Sequence, residues 1–215
     1  MHQIAGINLP RTAAAQLAAE TARTWSPPSM VNHCLRSYVF AAAYGHAHHI
    51  AHDRELLFVS AMLHDLGLEE PFDNATESFE QASGHVAWVF GAGAGWDLDR
   101  RARASRAVVN HMRDDVDQTE DPEGHLLAKG TTLDISGGGA LDWPPALRRE
   151  TVRLLPRLDL ASVFAQKLEE QARRKPHSSA GLAVRSGIAD RLARNSLGLN
   201  QLEQSGSDVV KKPTR

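Results

Sequence analysis

The segment RELLFVSAMLHDLGL, residues 54–68, sets the architecture of this chain. Residues 54–66 are apolar nearly all round, which predicts a central helix that is buried on every side. His64 and Asp65 lie near its end, and Gly67 is predicted to form a left-handed helix cap. Burying a carboxylate beside an imidazole is costly unless something compensates for it, and a metal ion is one such compensation. The alternative is a helix end at the surface, where a histidine favours the negative end of the helix dipole.

The segments on either side of it predict further helices joined by short breaks rich in Gly, Pro and Asp, and strand-like alternation is nearly absent. Asn74 with Glu77 resembles a capping box at the start of the fourth helix. The sequence therefore predicts an all-α single-domain bundle of about eight or nine helices. These helices cover residues 12–24, 29–44, 54–66, 74 to the GAGAG at 91–95, 97 or 99 to about 111, about 125–135, from 144 or 145, 160–174, and about 180–196.

Composition and charge restrict the class of protein. The 24 basic and 26 acidic residues give a net charge of −2, which argues against nucleic acid or an anionic membrane as the main partner. No apolar stretch approaches the roughly 20 residues that span a bilayer, and the N-terminus lacks the pattern of a secretory signal. The single cysteine, Cys34, excludes an intrachain disulfide and is expected to be a buried structural thiol. We expect a cytoplasmic protein with a small-molecule substrate; whether it forms a homo-oligomer is left open.

Two further polar residues stand in otherwise apolar helices. His33 lies in VNHCLRSYVF, residues 31–40, and Asp134 lies in LLAKGTTLDISGGG, residues 126–139. Each has an ordinary explanation by itself, since a lone histidine on a helix is more often a core residue than a ligand, and an aspartate before three glycines can simply form a turn.

Taken together with His64 and Asp65, these residues form the order H…HD…D on successive helices, which resembles the HD-domain metalloenzymes. The segments NHCLRSYVF, ELLFVSAMLHDLGL, SFEQASGHVA and GTTLDISG are similar to the cyanamide hydratase-like branch of that family. The chain departs from that branch at Cys34, Ala41 and His85, where the branch has Ser, Gly and a small or amide residue. The resemblance covers roughly residues 10–195. It implies metal ligands at His33, His64, Asp65 and Asp134.

The resemblance also implies a domain organisation and a metal. Residues 1–28 would form an N-terminal helix and linker packed on the core, residues 29–198 the HD domain, and residues 199–215 a disordered tail. Two imidazoles and two carboxylates without thiolates suit a divalent ion, Zn²⁺ first, with Fe²⁺, Mn²⁺, Co²⁺ or Ni²⁺ as alternatives. Such an ion lowers the pKa of its bound water from about 15.7 to about 7 and so supplies a metal-bound hydroxide.

The resemblance also places a histidine, His111, near the metal, and the other candidates are chosen by their positions in this sequence. His111, with Asp65, is the candidate for catalysis as a proton shuttle; the alternative is a surface histidine ahead of an acidic loop. Glu80 would anchor a metal-ligand histidine or face solvent. Arg36 would pair with a buried aspartate or with an anionic substrate. The remaining candidates for the substrate pocket are His85, Lys129 and Thr132.

The cluster of His46, His48, His49 and His52 has spacing that can chelate a metal. Its position at a polar break between helices favours adventitious binding over a physiological site.

Three functions are compatible with this pattern. The first is a metal-dependent hydratase or hydrolase of a small molecule that resembles cyanamide hydratase and would convert cyanamide to urea. The second is an HD-type phosphohydrolase acting on a nucleotide or other phosphoester. It ranks lower because only Arg36, Arg113 and Lys129 lie near the motif in sequence, and phosphate sites use several such donors. The third is a non-catalytic helical domain, against which the intact set of four ligands argues.

Overall fold

The structure is a computed structural model and describes residues 2–195 and 197. Within this part of the chain it is almost entirely helical, which confirms the all-α prediction. Two short antiparallel strands, Gln3–Ile4 (β1) and Ile7–Asn8 (β2), were not predicted from the sequence. The α-helices are α1 (Ala13–Trp25), α2 (Pro28–Ala47), α3 (Arg54–Leu63), α4 (Phe79–Gly93), α5 (Leu98–Asn110), α6 (Pro122–Ser136), α7 (Pro145–Leu154), α8 (Leu160–Arg174), α9 (Ser179–Arg185) and α10 (Ile188–Arg194).

Helix α3 is the centre of the bundle, as predicted. Every residue from Leu56 to Leu63 is buried, and α1, α2, α5 and α6 pack around it. The side chain of Asp53 caps its start by accepting from the amides of Glu55 and Leu56. Because α3 ends at Leu63, its final turn delivers the next two residues of the chain into the interior of the bundle rather than to the surface.

Two predictions about the segment after α3 are wrong. Gly67 has no left-handed conformation and instead lies in a short 3₁₀ helix, Leu66–Leu68. A Cβ at this position would come within 2.1 Å of the carbonyl oxygen of Phe79, so glycine is required here for close packing against the start of α4. Asn74 does not cap α4, because its side chain closes a local turn by accepting from the amides of Thr76 and Glu77. Helix α4 begins at Phe79, five residues later.

Helices α2 and α6 cross at very short range. A Cβ at Gly130 of α6 would lie 2.3 Å from the carbonyl oxygen of Ser37 on α2. This contact brings together the two helices that carry His33 and Asp134. Because Gly130 has no side chain, the helices approach closely enough for the imidazole and the carboxylate to meet.

The C-terminal part of the bundle differs in detail from the prediction. The helix expected at about 180–196 is two helices, α9 and α10, separated by Gly187, whose φ of 79° interrupts the first of them. This split accounts for ten observed helices where eight or nine were predicted. The tail predicted at 199–215 lies outside the described residues. The described part contains no helix that is both long and apolar enough to cross a bilayer.

Candidate metal centre

Three candidate ligands meet inside the bundle. His33 lies on α2, and His64 and Asp65 immediately follow α3; their exposed fractions are 1%, 0% and 4%. The Nε2 atoms of the two histidines are 3.1 Å apart, and Asp65 Oδ2 lies 3.4 Å from Nε2 of His33 and 3.1 Å from Nε2 of His64. One ligand atom from each of these three residues lies within 4.8 Å of the other two, which is close enough for the three to hold a metal ion.

The protonation of these groups favours a cation between them. His33 Nδ1 lies 2.7 Å from Asp134 Oδ2, and His64 Nδ1 lies 2.7 Å from the carbonyl oxygen of Ala61. Both partners are acceptors, so the neutral imidazoles carry their protons on Nδ1 and present the Nε2 lone pairs to each other. Both oxygens of Asp65 are buried without a hydrogen-bond donor. Two facing lone pairs and an unpartnered carboxylate therefore fit a divalent metal ion.

The charges around the centre attract positive charge, whether it is carried by a proton or by a metal ion. Burial alone would raise the pKa of Asp65, but the adjacent His64 and His33 outweigh it and hold that pKa below its usual range. Burial also opposes protonation of His33, whereas Asp134 and Asp65 raise its pKa above the ordinary value. Asp65 is thus held as a carboxylate, the form that binds metal.

Asp134 is placed differently from the other predicted ligands. Its carboxylate accepts two hydrogen bonds from Arg36, from Nε to Oδ1 at 2.7 Å and from the terminal nitrogen Nη2 to Oδ2 at 2.8 Å. Oδ2 also accepts from His33 Nδ1, on the side of the ring away from the three clustered donors. Both carboxylate oxygens of Asp134 therefore accept hydrogen bonds, and in the structure Asp134 orients the ring of His33. Direct ligation by Asp134 stays a prediction.

His111 lies beside the three donors and not at the surface. It follows α5, is 5% exposed, and places its Nε2 3.8 Å from Asp65 Oδ1. Its Nδ1 donates to the carbonyl oxygen of Val108, which leaves Nε2 as a lone pair. Burial and then the neighbouring His64 lower the pKa of His111 to about 3. The ring is consequently neutral over the physiological range, and its Nε2 is available as a hydrogen-bond acceptor.

The remaining predicted residues separate into two groups. Thr132 lines the cavity at the centre, as predicted. Arg36 is fully buried and pairs with Asp134, and it also donates to the carbonyl oxygens of Leu155 and Pro156, so its role is the structural one of the two alternatives.

Three predicted contacts are not made. Glu80 bonds the hydroxyls of Ser78 and Ser179 and no metal-site histidine. His85 is 63% exposed beside Glu77, and Lys129 extends over the ring of Tyr44, so neither lines the cavity.

The buried position of Cys34 agrees with the expectation from the sequence. Cys34, next to His33 on α2, is 3% exposed, and burial followed by the charge of Asp65 raises the pKa of its thiol well above the usual range. The cluster at residues 46–52 does not form a group of converging metal donors within the described residues.

A cavity of about 400 Å³ opens beside the donors. His33, His64, Asp65 and His111 form one side of it. Phe164 and Leu168 of α8, together with residues of α9 and α10, form the other. A substrate can therefore reach the metal position from one direction.

Sequence reasoning missed two sets of residues: those that donate hydrogen bonds to Asp134, and those that form the wall of the cavity. Arg157 donates to both the carbonyl and the carboxylate of Asp134, and the amide of Asn195 donates to its carbonyl oxygen. Neither residue stands in a motif, and no local pattern distinguishes them from surface residues. Phe164 falls on the apolar face of an amphipathic helix, where it is indistinguishable from a core residue.

Comparison with known proteins agrees with this geometry. The chain is 28% identical to two cyanamide hydratases of Saccharomyces cerevisiae, DDI2 and DDI3, over 204 residues that cover 89% of this chain and 86% of each relative. Residues 30–137, half of the chain, match the sequence model of the HD domain. This range includes His33, His64, Asp65 and Asp134. The chain therefore belongs to the HD domain family of metal-dependent enzymes.

Proposed function

We propose that this enzyme is a hydratase that adds water to the nitrile carbon of a cyanamide and releases a urea. The observation that carries the proposal is the pairing of a metal-binding group with a neutral, buried histidine at one end of a cavity. The similarity to the two yeast cyanamide hydratases supports the same reaction.

The direct ligands in this proposal are His33, His64 and Asp65, and the proposed metal is Zn²⁺. Two imidazole nitrogens and one carboxylate form a mixed set of the kind found at catalytic zinc, with one coordination position open to solvent or substrate. A zinc ion held there supplies a nucleophile near neutral pH by lowering the pKa of a bound water, and it polarises the substrate.

The other residues orient this set and move the proton. Asp134 keeps the proton of His33 on Nδ1, so that Nε2 stays directed at the metal position. His111 has its free Nε2 within reach of the same space, where it can accept a hydrogen bond from the attacking water and take its proton as charge develops there. The same group can then return the proton to the former nitrile nitrogen.

Phosphohydrolysis is less consistent with the cavity. Arg36 and Arg157 are engaged by Asp134, and Lys129 points over Tyr44. The cationic residues that line the cavity are Arg113 and Arg191, both exposed at its mouth. A phosphate bound beside the metal would therefore lack the cluster of donors that phosphate sites use.

The decisive experiment joins metal analysis to turnover. Protein stripped with a chelator and reloaded with Zn²⁺ should bind one equivalent per chain and form urea from cyanamide, whereas the stripped protein should be inactive. A His64→Gln variant, stripped and treated with Zn²⁺ in the same way, serves as control and should show neither bound zinc nor activity. Hydrolysis of nucleoside phosphates without any urea formation would overturn the proposal in favour of phosphohydrolysis.

A further inference from the structure

The cavity beside the metal donors is much larger than cyanamide, the molecule named for the two yeast relatives. Its volume is about 400 Å³, whereas three heavy atoms occupy on the order of 60–90 Å³, taking the volume of a liquid water molecule as a guide. Three water molecules around a metal would occupy roughly another 90 Å³. About half of the cavity is then left over, and volumes above about 300 Å³ are typical of sites for larger organic ligands.

The side of this extra space formed by α8 and α9 is apolar and starts at the metal position, whereas the charged residues Arg113, Asp114 and Arg191 line the cavity elsewhere. The ring of Phe164 lies 5.8 Å from the ring of His33, centroid to centroid. Leu168, one helical turn further along α8, continues the same face, and both side chains are buried. Ala183 of α9 and Ile188 of α10 also line the cavity, and Leu182, 62% exposed, lies toward the mouth.

Four of the five hydroxyl groups in the wall donate to acceptors within the protein, and the fifth belongs to Thr132, which is exposed. Thr131 donates to the carbonyl oxygens of Leu127 and Ala128, and Ser136 donates to the carbonyl oxygen of Thr132. Ser179 donates to the carboxylate of Glu80, and Ser186 donates to the carbonyl oxygen of Ala183. Along α8 and α9, the wall therefore recognises a ligand mainly by the apolar surface that the ligand buries.

We propose that the substrate class is N-substituted cyanamides, R–NH–C≡N, in which R is an apolar group of about seven carbons; this rests on the proposed hydratase function. The nitrile carbon faces the metal position, and R lies against Phe164, Leu168 and Ala183. Water oxygen forms a bond to the nitrile carbon as a carbon–nitrogen π bond breaks. One water hydrogen moves to the nitrile nitrogen in this addition. The second then moves from the oxygen to the same nitrogen as the remaining carbon–nitrogen π bond is replaced by a carbon–oxygen π bond, and the product is the substituted urea R–NH–CO–NH₂.

Turnover of a homologous series tests this assignment. Zinc-loaded protein is assayed with cyanamide, N-butylcyanamide and N-benzylcyanamide, and kcat/KM should rise at least tenfold from the first to the last. Ala183→Leu fills the cavity and should lower kcat/KM for the benzyl compound at least tenfold relative to its effect on cyanamide. Ala13→Leu, the same chemical change at an exposed position on α1, should leave this ratio unchanged.

Binding of the product provides a readout that does not depend on turnover. In calorimetric titrations N-benzylurea should bind the zinc-loaded protein at least tenfold more tightly than urea, and Ala183→Leu should abolish that difference. Equal turnover of all three cyanamides with equal binding of the two ureas would overturn the substrate class and leave the hydratase function in place. Absence of turnover with every cyanamide would overturn the hydratase function, and this assignment with it.

Discussion

Three histidine rings near the metal position share one arrangement. His33, His64 and His111 each place Nδ1 against a fixed acceptor, respectively Asp134, the carbonyl oxygen of Ala61 and that of Val108. Each ring thus has one defined neutral tautomer with Nε2 left free. The backbone carbonyl three residues earlier fixes two of these rings, so that helix geometry itself sets their protonation, whereas His33 depends on a distant side chain.

Asp134→Asn separates the contact seen in the structure from the direct ligation that the sequence predicts. We expect zinc affinity to fall by about 10–100-fold, because the amide no longer holds the His33 proton in place. Competition with a chromogenic chelator measures the affinity, and Asp65→Asn is the comparison because it removes a carboxylate from the clustered donors. If both variants lost zinc to the same extent, Asp134 would be a direct ligand.

Replacement of His111 tests its role in proton transfer. In His111→Gln we expect kcat for cyanamide hydration to fall by about 10²-fold or more, since general acid–base groups typically contribute 10²–10⁴-fold. Zinc content should stay at the wild-type level, because His111 lies outside the group of clustered donors. Loss of zinc along with activity would instead make His111 a ligand, so elemental analysis accompanies the kinetics.

At the scale of helices, the crossing of α2 and α6 is the contact on which the centre depends. Gly130→Ala would place a methyl group 2.3 Å from the carbonyl oxygen of Ser37, and the helices must separate to accommodate it. We expect a loss of about 1–3 kcal/mol in the free energy of unfolding, as for other overpacked interiors. Urea denaturation gives the value.

The matched control is Gly93→Ala at the end of α4, where a Cβ would meet nothing within 4 Å. That variant should be neutral or slightly more stable, since alanine is the better helix former. A neutral Gly130→Ala would mean that α2 and α6 are not held at the distance described.

A second contact between elements links Asp73, ahead of α4, to the C-terminal end of α8. Asp73 accepts from Gln171 and Lys175, both at 2.9 Å, and pairs with Arg174. Burial would raise its pKa, but these three partners outweigh burial and lower it. A carboxylate with a lowered pKa in the folded state stabilises the protein above its unfolded pKa of about 3.9, and this contribution is lost as the pH falls through the folded pKa.

Asp73→Asn should therefore destabilise the protein by roughly 1–2 kcal/mol at pH 7, with the difference from wild type shrinking below about pH 4. Urea denaturation at several pH values measures this change. Asp190→Asn is the control, because Asp190 forms a long, exposed pair with Arg194 and should have no measurable effect. A pH-independent difference for Asp73→Asn would exclude the electrostatic explanation.

At the scale of the whole molecule, a metal ion at the clustered donors would join α2 to the end of α3 through side chains distant in sequence. An ion that binds only the folded chain stabilises it by about 2.7 kcal/mol when its free concentration is 100 times the Kd. For a chain of this size we expect Tm to rise by roughly 5–10 °C. Thermal unfolding of chelated protein with and without Zn²⁺ measures the shift, with Mg²⁺, which prefers oxygen ligands, as the control. An equal shift with both ions would argue against a nitrogen-containing site.

The apolar patterning of the sequence predicted the helical bundle, and the resemblance to the HD-domain enzymes implied the meeting of His33, His64 and Asp65. The sequence did not predict the orientation of residues on the flanking helices. His85 follows Gly84, which packs against α5, and a step of one residue turns a side chain by about 100° around the helix, so His85 faces solvent. Lys129 precedes Gly130, which packs against α2, and it extends along the ring of Tyr44 instead of entering the cavity.

The burial of Cys34 has a consequence for the chemistry that this molecule can tolerate. Oxidants and alkylating agents attack the thiolate, and the folded chain holds its single sulfhydryl protonated and out of their reach. Oxidation of this sulfur would consequently require the chain to open first, although the sulfur atom belongs to the residue that follows His33, one of the clustered donors.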